Sequence, residues 1–164
     1  MISKKLKVIL LINILIGVVL SGVGRGDEYN NNIYVELKIY GIFENEIKVI
    51  GNYKIGGVKI TKETDRVPLV IGTNFGIVCT AKGLIPKKEA ILRYQIIHPE
   101  YITPNGERKR IKEHILKLKS FKDSIDFSLA EVLSEKYMMV PGEWVFTVLQ
   151  NDKAIIEKKF YLVQ

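Results

Sequence analysis

The stretch GEWVFTVLQNDKAIIEKKFYLV, residues 142–163, decides the fold class. Trp144, Phe146 and Val148 alternate with Val145, Thr147 and Leu149, so three large apolar side chains share one face of an extended strand. Asn151-Asp152 then supplies the two residues of a tight turn, and Ile156, Phe160 and Leu162 come back on the inward face of a return strand. The pattern predicts a β-hairpin with one buried side. Trp144 reads as a core anchor of that side: a binding shelf would need further rings on the outward face, and Val145, Thr147 and Leu149 include none.

Working upstream, the same period of two recurs. Ile33, Val35, Leu37 and Ile39 alternate with Tyr34, Glu36, Lys38 and Tyr40, which predicts a half-buried strand. Ile47, Val49, Tyr53 and Ile55 keep the odd phase, Val58 and Ile60 take the even one, and Gly56-Gly57 between them predicts a turn or bulge. Phe75, Ile77, Cys79 and Ala81 alternate again. The run from Glu89 to Ile97 is rich in β-branched and aromatic residues and is closed by His98-Pro99. Residues 107–119 fit either a helical stripe (Ile111, Ile115, Leu118) or a strand face (His114, Leu116, Leu118). Residues 124–134 are equally open: Ile125, Leu129 and Val132 stand at helical spacing, which admits one short helix, with Asp123 and Asp126 capping its start or a turn. Short strands separated by Gly, Pro and Asn, without long helical periods between them, predict an all-β chain: an antiparallel β-sandwich of the immunoglobulin-like kind.

The N-terminus is read apart from this domain. Lys4, Lys5 and Lys7 precede an apolar run from Val8 to Gly24, and Gly22 and Gly24 offer the small side chains a cleavage site needs, so residues 1–24 read as a secretory signal peptide cut after Gly24. A helix of that run spans about 25 Å, short of the ~30 Å hydrocarbon core, which favours a signal over a permanent anchor. Residues 25–38 are the lead-in and the start of the first strand, and residues 39–163 form a single sandwich domain. The whole chain carries a formal charge of +7, but the chain after Gly24 holds 22 basic and 18 acidic residues. That mild excess argues against a nucleic-acid partner. Cys79 is the one cysteine, so no intrachain disulfide can brace the domain, and its phase predicts a buried, inert thiol.

The chemical inventory is short. His98 and His114 show no zinc-ligand spacing, and no nucleophile elbow, phosphate loop or calcium-loop series occurs. No metal, cofactor or catalytic residue is assigned on this basis. Arg25-Gly26-Asp27 spells an adhesion tripeptide, three residues that match easily by chance. The one local concentration of charge is Arg108, Lys109, Arg110, Lys112, Lys117 and Lys119, offset within the segment by Glu107 and Glu113. Lysines on an edge strand block sheet-to-sheet aggregation. The same six residues are also candidate contacts for an anionic surface.

Five short motifs recur in order: Tyr40-Gly41-Ile42-Phe43-Glu44, Thr64-Asp65-Arg66-Val67-Pro68, Gly72-Thr73-Asn74-Phe75-Gly76, His98-Pro99 and Pro141-Gly142-Glu143-Trp144-Val145-Phe146. The series resembles the bacterial family known as domain of unknown function 3859, over roughly residues 39–163. Leu69-Val70 depart from the pattern, where a small residue followed by a basic one is expected. The resemblance implies an exported or envelope protein with a β-sandwich fold, tips 107–119 towards a strand, and brings no active site with it. The expected role is then a non-catalytic cell-envelope module, in the periplasm, on the surface or secreted. Its partner would be a protein or an anionic envelope polymer, and it would meet the membrane only through an uncleaved signal segment. The alternative is a small envelope hydrolase whose site is assembled from residues distant in sequence.

Overall fold

Alternation of apolar and polar side chains creates strands with one face to bury, and two such sheets bury it against each other. The computed structural model describes residues 32–50 and 53–164, with the backbone alone over 45–50 and 53–58. Its strands are β1 (Tyr34–Ile50), β2 (Tyr53–Lys62), β3 (Arg66–Pro68), β4 (Asn74–Lys82), β5 (Glu89–Ile102), β6 (Arg108–Lys119), β7 (Ser124–Val132), β8 (Gly142–Gln150) and β9 (Lys153–Val163). They form one sheet ordered β2-β1-β4-β7 and a second ordered β3-β9-β8-β5-β6. The pairings are antiparallel except that of the short edge strand β3 with β9.

The C-terminal hairpin forms as its sequence predicts. Asn151 and Asp152 adopt φ of 49° and 63°, the left-handed pair that a two-residue turn of this twist requires and that Asn and Asp tolerate. Trp144, Phe146 and Val148 are fully buried on β8, Phe160 and Leu162 are buried on β9, and half-buried Ile156 packs against the core. From the facing sheet, Phe75 meets Trp144, Phe146 and Phe160 edge-on, with centroids 5.8, 5.6 and 5.3 Å away. One ring thus joins the two sheets. Ile77, Cys79 and Ala81 continue the buried row along β4, and burial pushes the Cys79 thiol up to about 12, so it stays protonated and unreactive.

Several local expectations are corrected. The register of β1 against β4 slips between Leu37 and Ile39, which reverses the alternation. Tyr40 therefore turns inward, edge-on to Phe160, and Ile39, expected inside, pairs with half-buried Val78 instead. The ladder of β1 and β2 runs without a break through Gly56-Gly57. Its irregularity lies at Ile42/Phe43, where Thr61 is the extra residue and its hydroxyl donates to the Ile42 carbonyl. The side chains of Ile47, Val49, Tyr53, Ile55 and Val58 lie outside the described residues, as do the signal segment 1–24, its cleavage site and Arg25-Gly26-Asp27.

His98-Pro99 does not close β5. Three residues, His98 to Glu100, bulge opposite Arg110, and pairing resumes at Tyr101↔Lys109. The two segments left open between helix and strand are both strands, β6 and β7. Ile125, Phe127 and Leu129 of β7 oppose Ala81, Cys79 and Ile77 of the central strand β4, and burial against that row outweighs helical spacing. A single 3₁₀ turn, Lys136–Met138, follows it. Asp126 caps no helix; it accepts a hydrogen bond from the Thr80 hydroxyl at 2.5 Å. Gly76 is required by close approach, since a Cβ there would sit 2.0 Å from the Leu129 carbonyl oxygen.

Candidate functional site at the β6 edge

The six candidate basic residues all sit on β6, the outer strand of the five-stranded sheet, and tertiary structure disperses their charge. Arg108 and Arg110, on one face, both reach Glu100 of the β5 bulge, at 3.0 and 2.9 Å. Lys109 pairs with Glu107 at 2.6 Å and Lys117 with Glu89 at 3.5 Å. Lys112 points between the sheets and joins Glu131 of β7 at 2.5 Å, a pair that bridges the two edge strands. Lys119 makes no ion pair among the described residues. With Glu113 included, six bases face five carboxylates, so the strand is nearly neutral as a surface. Exposed pairs of this kind contribute little to stability, but they cancel much of the attraction for anions.

The alternation of β5 and β6 places apolar side chains on the outside as well. Leu116 and Leu118 turn towards the core, while Ile111 and Ile115 face outward and are 45% and 66% exposed. Ile111 lies opposite Ile97, which is itself opposite Val145. Ile115 lies opposite Arg93, which is opposite Leu149. With Ile91 beside Lys117, the outer face carries four exposed isoleucines next to a strand edge that is unpaired among the described residues. These residues were missed in sequence, although they share their strand faces with Arg93, Gln95 and Glu113, because isoleucines recurring at even spacing are equally the mark of a core face.

Neither histidine is set up as a catalytic base. The His98 ring stacks between Tyr101 and Trp144, with centroids 4.5 and 4.7 Å away, and hydrogen-bonds the Pro99 carbonyl through Nδ1 at 2.8 Å. Its Nε2 and the Trp144 Nε1 are buried without a partner among the described residues. Burial holds this imidazole below its ordinary value, and the bond to Pro99 only partly opposes that. His114 stacks on Tyr94 at 4.8 Å. Burial first, and then the charge of Glu131, raises the Tyr94 phenol. No group of three or more His, Cys, Asp or Glu that could hold a metal ion occurs among the described residues.

The recurring sequence motifs prove to be the joints of the sandwich. Tyr40 and Phe75 face Phe160. Val67 pairs with Leu162, and the Asp65 carbonyl accepts from the Tyr161 amide at 2.7 Å. Trp144 and His98 stack, and a Cβ on Gly142 would come within 2.9 Å of the Pro99 ring. This set is what a family signature would record, and the family described as a domain of unknown function (DUF3859) matches residues 31–162.

The chain belongs to that family.

Among solved structures, this family member is similar to an immunoglobulin-like protein of Pseudomonas aeruginosa, at 25% identity and a TM-score of 0.63, over 80% of this chain and 96% of that one. Fainter likenesses run to the alkylpurine DNA glycosylase AlkC of Pseudomonas fluorescens bound to DNA and to a β-glucosidase of Listeria innocua. The first has a TM-score of 0.42 at 12% identity, over 80% of this chain and 30% of that one. The second has a TM-score of 0.43 at 7% identity, over 81% of this chain and 16% of that one. Neither informs the chemistry of this family member. Among curated proteins, nothing matches.

Proposed function

We propose that this β-sandwich is an exported, non-catalytic module of the cell envelope that binds a protein partner through the outer face of β5 and β6. The observation that carries the reading is the isoleucine strip Ile91, Ile97, Ile111 and Ile115, exposed beside a strand edge that has no partner among the described residues. Large apolar side chains gathered on one solvent-facing sheet are the usual mark of a surface that is covered in use. Export rests on the lysines and apolar run of residues 4–24. A dispersed hydrolase site finds less support. Each histidine is engaged in a ring stack, and the carboxylates around β6 are spent on ion pairs rather than converging on a cleft.

Contact with an anionic polymer through Arg108, Lys109, Arg110, Lys112, Lys117 and Lys119 is the second reading. Arg108 and Arg110, with side chains 72% and 73% exposed, favour it. The shared Glu100 makes it weak and salt-sensitive.

A photo-crosslinking amino acid placed at Ile115, and separately at Val70 on another exposed surface, tests the first reading in the living host. A protein adduct at 115 and none at 70 supports the β5–β6 face. Equal labelling at the two positions, or none at 115, overturns it.

A further inference from the structure

We infer that the end of the sandwich formed by the β4–β5 and β6–β7 loops is a membrane-apposed face, built to touch an anionic lipid surface through Phe121 and the lysines of the same two loops. This surface is distinct from the isoleucine strip, and the inference does not rest on that reading.

Four observations converge there. Phe121, in the loop from β6 to β7, is 83% exposed, more than the other large hydrophobic residues described. That loop is tied to the β4–β5 loop by two backbone hydrogen bonds, Lys87 N–H to the Ser120 carbonyl at 2.7 Å and Leu84 N–H to the Asp123 carbonyl at 2.9 Å. The two loops form one tip, which carries Lys87, Lys88, Lys119 and Lys122 together with Phe121, all exposed. Lys87, Lys119 and Lys122 have no ion pair among the described residues, unlike most of the bases along β6. Of the nearby acids, Glu89 is engaged by Lys117, which leaves Asp123.

The third observation is a second exposed ring. Tyr34, 64% exposed, opens β1 opposite Lys82, which in turn lies opposite Ser124 at the start of β7. The fourth is the path of the chain: the Asn32 carbonyl lies against Gly83 of the same tip, 3.1 Å from where a Cβ would stand. Residues that precede Asn32 carry the apolar run of 8–24. Aromatic side chains favour the headgroup layer, and lysines beside them reach anionic lipid phosphates while their stems stay in apolar contact.

The test uses the full chain reconstituted into phosphatidylcholine vesicles with and without phosphatidylglycerol, made from brominated acyl chains. A Phe121→Trp variant reports the tip, and an Ile71→Trp variant reports an exposed apolar loop at the opposite end, where residue 71 is 50% exposed. The tip tryptophan should shift to shorter wavelength and be quenched in the anionic vesicles, and residue 71 should not. Each lysine near an anionic surface contributes about fivefold to binding, so Lys87→Ser, Lys119→Ser and Lys122→Ser together should weaken the quenching about tenfold or more after screening. Equal quenching at 121 and 71, no quenching at 121, or quenching indifferent to the three serines would each overturn the inference. Circular dichroism of every variant confirms that the sandwich is intact before quenching is compared.

Discussion

Replacing Trp144 by alanine should leave a protein close to the limit of folding. The indole is fully buried, edge-on to Phe75 at 5.8 Å and stacked on His98 at 4.7 Å, so its removal opens a void at the junction of the two sheets. Truncation of a buried large aromatic costs about 3 to 5 kcal/mol, against a total of about 5 to 15 kcal/mol for a domain of this size. With a urea slope of about 2 kcal/mol per molar, a loss of that size moves the unfolding midpoint down by about 2 M. Phenylalanine is the informative companion. It keeps a ring against Phe75 and removes an N–H that has no acceptor among the described residues. Relief of a buried, unbonded donor, about 1 to 3 kcal/mol, offsets the loss of indole volume, so Trp144→Phe should stay within about 1 kcal/mol of the parent. Far-ultraviolet circular dichroism must follow the transition, because the chain has one tryptophan and both variants remove it. An alanine variant with an unchanged midpoint would refute the core assignment. A phenylalanine variant as unstable as the alanine one would refute the account of Nε1.

Acid should weaken the fold through His98. Its imidazole is harder to protonate folded than unfolded because of burial, so its contribution is intact above the ordinary value of about 6.5 and is lost as the pH falls below it. The urea midpoint should drop between pH 7 and pH 5, by less in His98→Phe than in the parent; equal drops would exclude His98 as the cause. Gly76→Ala, which sets a methyl against the Leu129 carbonyl, should lower stability by about 2 to 4 kcal/mol by forcing β4 and β7 apart, and a calorimetric melting temperature near that of the parent would contradict the close approach. Protein recovered from its host should begin near Arg25 by intact mass; recovery of the full 18.7 kDa chain from membranes would show that the segment 1–24 is retained.

Much of the sandwich is legible from alternation because a half-buried strand must alternate whatever its neighbours are. This holds for Trp144-Phe146-Val148, for Phe75-Ile77-Cys79-Ala81 and for the Asn151-Asp152 turn, whose left-handed backbone those two residue types accommodate. The expectations that failed depend on partners that the local pattern does not contain. A one-residue slip between Leu37 and Ile39 sends Tyr40 inward, and only pairing with β4 places the slip there. Residues 124–132, which local spacing left open, are a strand because an apolar row of the central strand β4 lies opposite them.

The candidate site shows the same division. The sequence of residues 108–119 by itself determined that six bases lie close together, and the odd phase of β5 and β6 already separated Ile91, Ile97, Ile111 and Ile115 from the core-facing residues. Which of those faces meets solvent was decided by sheet order, which leaves β6 with one neighbouring strand among the described residues. That the bases are largely neutralised was decided by Glu100 of the β5 bulge and by Glu131 of the opposite sheet. Charges close in sequence sum to a field only where the fold brings no counter-charge to them, because Coulomb interactions act through space and fade within a Debye length. At the other end of β6 the described residues bring few counter-charges to Lys87, Lys119 and Lys122, so a local lysine excess survives there as a surface.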